Sequence, residues 1–175
     1  SQRAKVLDGE NLRSYIMDML KENITETVNQ YLSDEVIHDN WNVDGLRNHY
    51  LGFFTTPEDF HYTPDELANK DKKDFVDALY EKAVAKYEEK EQEIGVERMR
   101  EVERVVLLRN VDSKWMDHID AMDELKKGIY LRSYGQRDPV VEYRIEGFDM
   151  FDAMVAAIRE DTVKMLLTVR LRNPN

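Results

Sequence analysis

The sequence predicts an all-α protein, an extended helical hairpin with a smaller helical part before it. Three observations predict this. Only seven Gly and four Pro occur in 175 residues, while 35% are charged, a composition suited to long, well-solvated helices. Apolar residues recur at steps of three and four along two long stretches, which places them on one stripe of a helix. Only about half a dozen residues separate those stretches, so they must fold back on each other antiparallel.

In chain order, Asp8-Gly9-Glu10-Asn11 reads as a helix start. Leu12, Tyr15, Ile16, Met19, Leu20, Ile24, Val28 and Tyr31 then draw a stripe down a helix ending near Ser33. Asp34–Asn40 is a polar link holding His38, and Trp41 and Val43 lead into a short helix with Leu46, Tyr50, Leu51 and Phe54. The aromatics Tyr50, Phe53, Phe54, Phe60 and Tyr62 are too dense for a solvent loop and are read as core against the first helix. Thr55-Thr56-Pro57 and Thr63-Pro64-Asp65-Glu66 are turn or helix-start signals, since Thr caps and Pro fits the first helical turn. From Asp71, the series Phe75, Leu79, Ala83, Tyr87 and Ile94 predicts a further helix, with Tyr87–Glu93 as its solvated run and Gly95 as the joint to the hairpin. The expected division is therefore residues 1–95 and 96–175.

The first hairpin stripe is Val102, Val105, Leu108, Val111, Trp115, Ile119, Met122, Leu125 and Ile129. The second is Val141, Ile145, Phe148, Phe151, Val155, Ile158, Thr162, Met165 and Val169, starting from an Asp138 cap with Pro139 at the first helical position. At 1.5 Å per residue, helices of this kind are on the order of 50 Å long, so one end must project from any compact core. That end is the tip, near residues 131–138, where Gly135 supplies a turn and Arg132, Tyr134, Gln136 and Arg137 are candidates for touching another molecule.

Composition excludes several function classes. Without cysteine there is no disulfide framework and no thiolate metal or redox site. The net charge of −11 lies mostly in the first part: residues 1–95 hold 11 Lys+Arg against 21 Asp+Glu, and residues 96–175 hold 14 against 15. Such an acidic part argues against nucleic-acid binding, which needs a basic footprint. No signal peptide and no apolar run of about 18 residues is present, so cytoplasmic residence is expected. His38, His49, His61 and His118 lie apart and form no metal motif, and none is expected. Asp117, His118, Asp120 and Asp123 cluster on the first hairpin helix, where a wet face is the plainer reading than an enzyme site. Neither a phosphate-binding Gly-x-x-x-x-Gly-Lys loop nor a Gly-x-Ser-x-Gly elbow occurs, so no catalytic or nucleotide-binding residue is assigned. Met116, Met122, Met150, Met154 and Met165 are read as fillers of helix seams.

Specific residues carry a family resemblance. Val111–Asp123, Gly128–Gln136, Asp138-Pro139, Glu142-Tyr143 and Glu146–Phe151 closely resemble the helical scaffold domain of the SecA family, the motor ATPases of bacterial preprotein translocation. The match runs with almost no gap from about Val96 to Leu171. Residues before Gly95 resemble, less specifically, the family's helical wing domain, and Gln2–Arg13 the handover from the long scaffold helix to the wing. The resemblance implies a two-helix finger whose tip reaches the SecYEG channel and the translocating preprotein, with Tyr134 at the contact. It implies ATP and Mg²⁺ in motor domains outside this chain, and a peripheral place on the inner face of the plasma membrane. It also implies that Trp115, Ile119, Met122, Phe148 and Phe151 pack on the scaffold, Trp115 as a buried pin under a long helix mostly absent here. An uncovered stripe would promote a homodimer. A non-catalytic helical interaction scaffold is the alternative reading.

Overall fold

A computed structural model describes residues 12–132 and 138–171. Helix α1 spans Leu12–Tyr31, α2 Val43–His49, α3 Pro64–Ala68, α4 Lys72–Ile94, α5 Val96–Arg132 and α6 Pro139–Thr168, with a 3-10 turn at His38–Asn40. Among the described residues no strand forms, and the chain is all-α as expected.

Local chemistry explains the boundaries. Asn42 caps α2 by accepting from Gly45 N–H, 2.9 Å away. Thr63 caps α3 ahead of Pro64, and Asp71 and Asp74 form a reciprocal capping box at the start of α4. Asp138 accepts from Val140 N–H ahead of α6, with Pro139 in the first turn. Between α4 and α5 stands only Gly95, at φ +99°, a conformation that L side chains rarely adopt.

The expected stripe of α1 is its buried face: Leu12, Ile16, Met19, Leu20, Ile24 and Val28 are all in the core. Helix α4 lies antiparallel to it, since Lys72 meets Asn29 at one end and Arg13 meets Glu91 at the other. Between them the aromatics form core as expected. Tyr50 is fully buried and stacks on Phe54, while Trp41, Phe60 and Tyr62 surround Phe75 at 5.8–6.3 Å between ring centres. The run Tyr87–Glu93 departs from a simple wet face, because Tyr87 and Lys90 are buried. Helix α5 folds back beside the last turns of α4 and covers them.

Helices α5 and α6 are antiparallel: Asn110 bonds Thr162, and Met122 meets Gly147. The half nearest Gly95 is embedded, with Met99, Leu107, Ile158, Val163, Leu166 and Leu167 in one apolar cluster with Leu12, Phe75, Tyr87 and Ile94. The parts divided at Gly95 from the sequence therefore share a continuous core. Past Val111 on α5 and before Met154 on α6, none of the described residues joins that cluster. With α5 about 55 Å long, roughly its second half projects beyond the core.

The seam differs from the stripes read in the sequence. Buried positions on α5 include Met99, Glu103, Leu107, Asn110 and Ile129, and those on α6 include Gly147, Ile158, Thr162 and Leu166. Val105, Trp115 and Ile119 from the first stripe, and Val141, Ile145, Phe148, Phe151 and Met165 from the second, are exposed. The buried faces carry Glu103 toward α4 and Asn110 and Gly147 between the two helices, whose chemistry disguises them, whereas a neighbouring flank carries the larger apolar side chains.

Candidate functional site: the projecting hairpin

The base of the hairpin is fixed to the first part by polar contacts as well as by core. Tyr50 donates its hydroxyl proton to Asn23 Oδ1 at 2.6 Å and lies 2.9 Å from Thr27 Oγ1, inside the α1–α2 contact. Burial pushes its phenol well above the usual range. The imidazole of His49 stands between the Tyr31 hydroxyl, 3.2 Å from Nδ1, and the Glu160 carboxylate at Nε2. Burial alone would raise the Glu160 carboxyl. The hydrogen bond and charge of His49, together with Lys164, outweigh that and hold it below its ordinary value. Arg159 adds bridges to Glu22 and Glu26 of α1, at 3.1 and 2.7 Å.

A second polar group surrounds Gly95. Tyr87 donates its hydroxyl proton to Glu103, and Arg100 pairs with both Glu91 and Glu103. Arg13 reaches Glu91 from α1 at 3.2 Å. Burial is the main reason that the Glu103 carboxyl is raised, against the lowering effects of Tyr87 and Arg100. Sequence reading missed this carboxylate. The signal was its spacing, four residues from both Met99 and Leu107 on one helical face.

Toward the tip the surface becomes apolar. Ile129 is buried, while Tyr130 and Leu131 are 74% and 72% exposed. With Pro139, Val140 and Tyr143 they line a groove of about 790 Å³, rimmed by Asp123, Lys126 and Lys127. Tyr134, Gln136 and Arg137 lie outside the described residues, as does the side chain of Arg132.

On the hairpin's flank, Trp115 is 46% exposed and contacts Phe151 edge-on at 6.4 Å between ring centres. Ile119, Phe148 and Phe151 are also exposed, and Met122 is half-buried against Gly147. Trp115 is thus not buried within this chain. His118 lies against the Trp115 and Phe151 rings, at 5.6 and 5.8 Å. That environment orients it by packing. Among the described residues no three His, Cys, Asp or Glu side chains gather as metal ligands, and no helix is long and apolar enough to cross a membrane.

The sequence that builds these two long antiparallel helices and the small helical part before them matches a known family. Residues 1–170 match the family described as SecA Wing and Scaffold domain. The chain belongs to this family. The protein translocase subunit SecA of Pelotomaculum thermopropionicum is 42% identical over 99% of this chain, which covers 19% of that relative. SecA of Carboxydothermus hydrogenoformans is 45% identical over 95% of the chain and 19% of the relative, and SecA of Caldicellulosiruptor saccharolyticus 45% over 99% and 20%. The chain spans about one fifth of the length of these curated relatives.

Proposed function

We propose that this chain is the wing and scaffold portion of a SecA-type protein translocase, and that its hairpin is a stiff lever between motor and moving polypeptide. The observation that carries the reading is the projecting half of α5 and α6. It stands clear of the core, is held by its partner helix, and ends in exposed apolar side chains. Two helices packed along a common seam bend little, so a displacement at the base reappears at the tip. Transport then needs no bond-making at the hairpin. It needs a contact that tolerates any polypeptide sequence.

In this reading Tyr134 supplies that contact, its ring packing on any chain while its hydroxyl stays wet. Arg132, Gln136 and Arg137 flank it and meet polar backbone or the mouth of the SecYEG channel. Trp115, Ile119, Met122, Phe148 and Phe151 rest on a further helix of the whole protein, and through it the hairpin restrains the ATPase cycle of the motor domains. ATP and Mg²⁺ belong to those domains, so this portion is not itself catalytic. The parent works on the cytoplasmic face of the plasma membrane as a peripheral protein, with preprotein and channel as partners. Without the further helix, the exposed flank favours a homodimer of the isolated chain.

Photo-crosslinking tests the contact. A photoreactive residue replacing Tyr134 in the full-length parent should crosslink to a preprotein arrested in the channel. The same residue at Glu58, on the wing, should not. Equal crosslinking from both positions, or none from Tyr134, would leave the hairpin as a passive scaffold.

A further inference from the structure

We propose that Glu91 is the hub of a latch across the Gly95 joint, which sets the angle between wing and hairpin and opens when Arg13 is displaced. The proposal rests on geometry and stands apart from the transport reading.

Three helices meet at this carboxylate. Glu91 is on the last turn of α4, Arg13 comes from the first turn of α1, and Arg100 from the second turn of α5. Arg100 continues the chain of contacts to Glu103, 2.8 Å away, and Glu103 accepts from Tyr87 one turn before Glu91 on α4. Glu103 has no exposed surface, and the Glu91 side chain is only 16% exposed. Arg13 lies at the rim, with a second contact to Glu88 at 3.6 Å.

Apolar packing of Ile94 and Met99 also holds the joint, and on the other side of the hairpin Arg159 and Glu160 tie α6 to Glu22, Glu26 and His49. At Gly95 itself no atom lies within 4 Å of where a Cβ would be. How α5 leaves α4 therefore depends on the polar contacts at Glu91, which join through the Arg100–Glu103 ion pair into one network inside low-dielectric surroundings. Arg13 is one residue beyond Leu12, the first residue of α1, so a force arriving along the chain at that end acts first on the Arg13–Glu91 pair. Releasing that arm weakens the hold on Arg100 and thus on α5. In this way a pull at the start of the wing reaches the hairpin.

The chain has no cysteine, so two can be introduced as unique labelling sites. Spin labels at Glu58→Cys on the wing and Lys126→Cys on the projecting half report the angle as a distance distribution in the full chain. The unaltered latch should give one narrow population. Glu91→Gln should add a second population, Arg13→Gln a smaller share of the same one, and both should speed amide exchange over residues 96–104. Arg104→Gln serves as control, because its partner Glu101 is on the same helix, and it should leave the distribution narrow. Should Glu91→Gln lose its helical circular dichroism, Arg13→Gln decides alone. A single narrow population in Arg13→Gln, matching Arg104→Gln, would overturn the latch.

Discussion

Glu103 faces Tyr87 and Glu91 from α4, Arg13 from α1 and Arg100 on its own helix. Burial lifts its carboxyl above the unfolded value of about 4.3. A group raised on folding stabilises fully below its unfolded value, and that contribution is lost as pH rises through the folded value. Glu103→Gln should therefore flatten the fall in melting temperature above about pH 4.3 relative to the parent chain. Parallel slopes for parent and variant would contradict a raised Glu103. Trp115 presents a different case at the same scale. Because 46% of it is exposed, Trp115→Ala should cost about 1–2 kcal/mol in denaturant unfolding, below the roughly 3–5 kcal/mol of a fully buried aromatic. A larger loss would mean that another molecule, such as a second copy, covers the flank in solution.

Between helices, the seam of the hairpin depends on one buried polar pair. Asn110 donates to Thr162 at 3.0 Å, with both residues in the interface. Thr162→Val leaves the Asn110 amide only the weak Met165 Sδ acceptor at 3.5 Å and should cost about 1–3 kcal/mol by thermal or denaturant melting. Adding Asn110→Leu removes the stranded group and should recover most of that loss. If the double variant is worse than the single, the pair does more than satisfy itself. The same seam shows how much was legible beforehand. The helices and their order were readable, because capping residues and three-four spacing are local signals, and the stripe of α1 proved to be its buried face. Which face of α5 is buried was not readable. A carboxylate and an amide occupy it, and their burial depends on Tyr87 and Thr162 arriving from α4 and α6. The candidate site was legible in part: the length of the hairpin and the place of its tip followed from spacing, whereas the exposure of Trp115, Ile119, Phe148 and Phe151 depends on what else packs there.

At the scale of the molecule, one core crosses Gly95, so residues on both sides should unfold together. Hydrogen exchange should give α1, α4 and the embedded parts of α5 and α6 a shared, high opening free energy. The projecting half, which has only its own seam, should exchange faster. Separate transitions for residues 12–94 and 96–111 would contradict a shared core. This gradient suits a lever, firm at its base and free to engage at its end. The central claim is that the end acts on polypeptide, and Tyr134→Ala in the full-length parent tests it most directly, with preprotein transport measured beside ATP hydrolysis in the absence of preprotein. The account predicts a clear loss of transport with that basal hydrolysis retained, and a milder loss for Tyr134→Phe, which keeps the ring. Full transport by the alanine variant would contradict it.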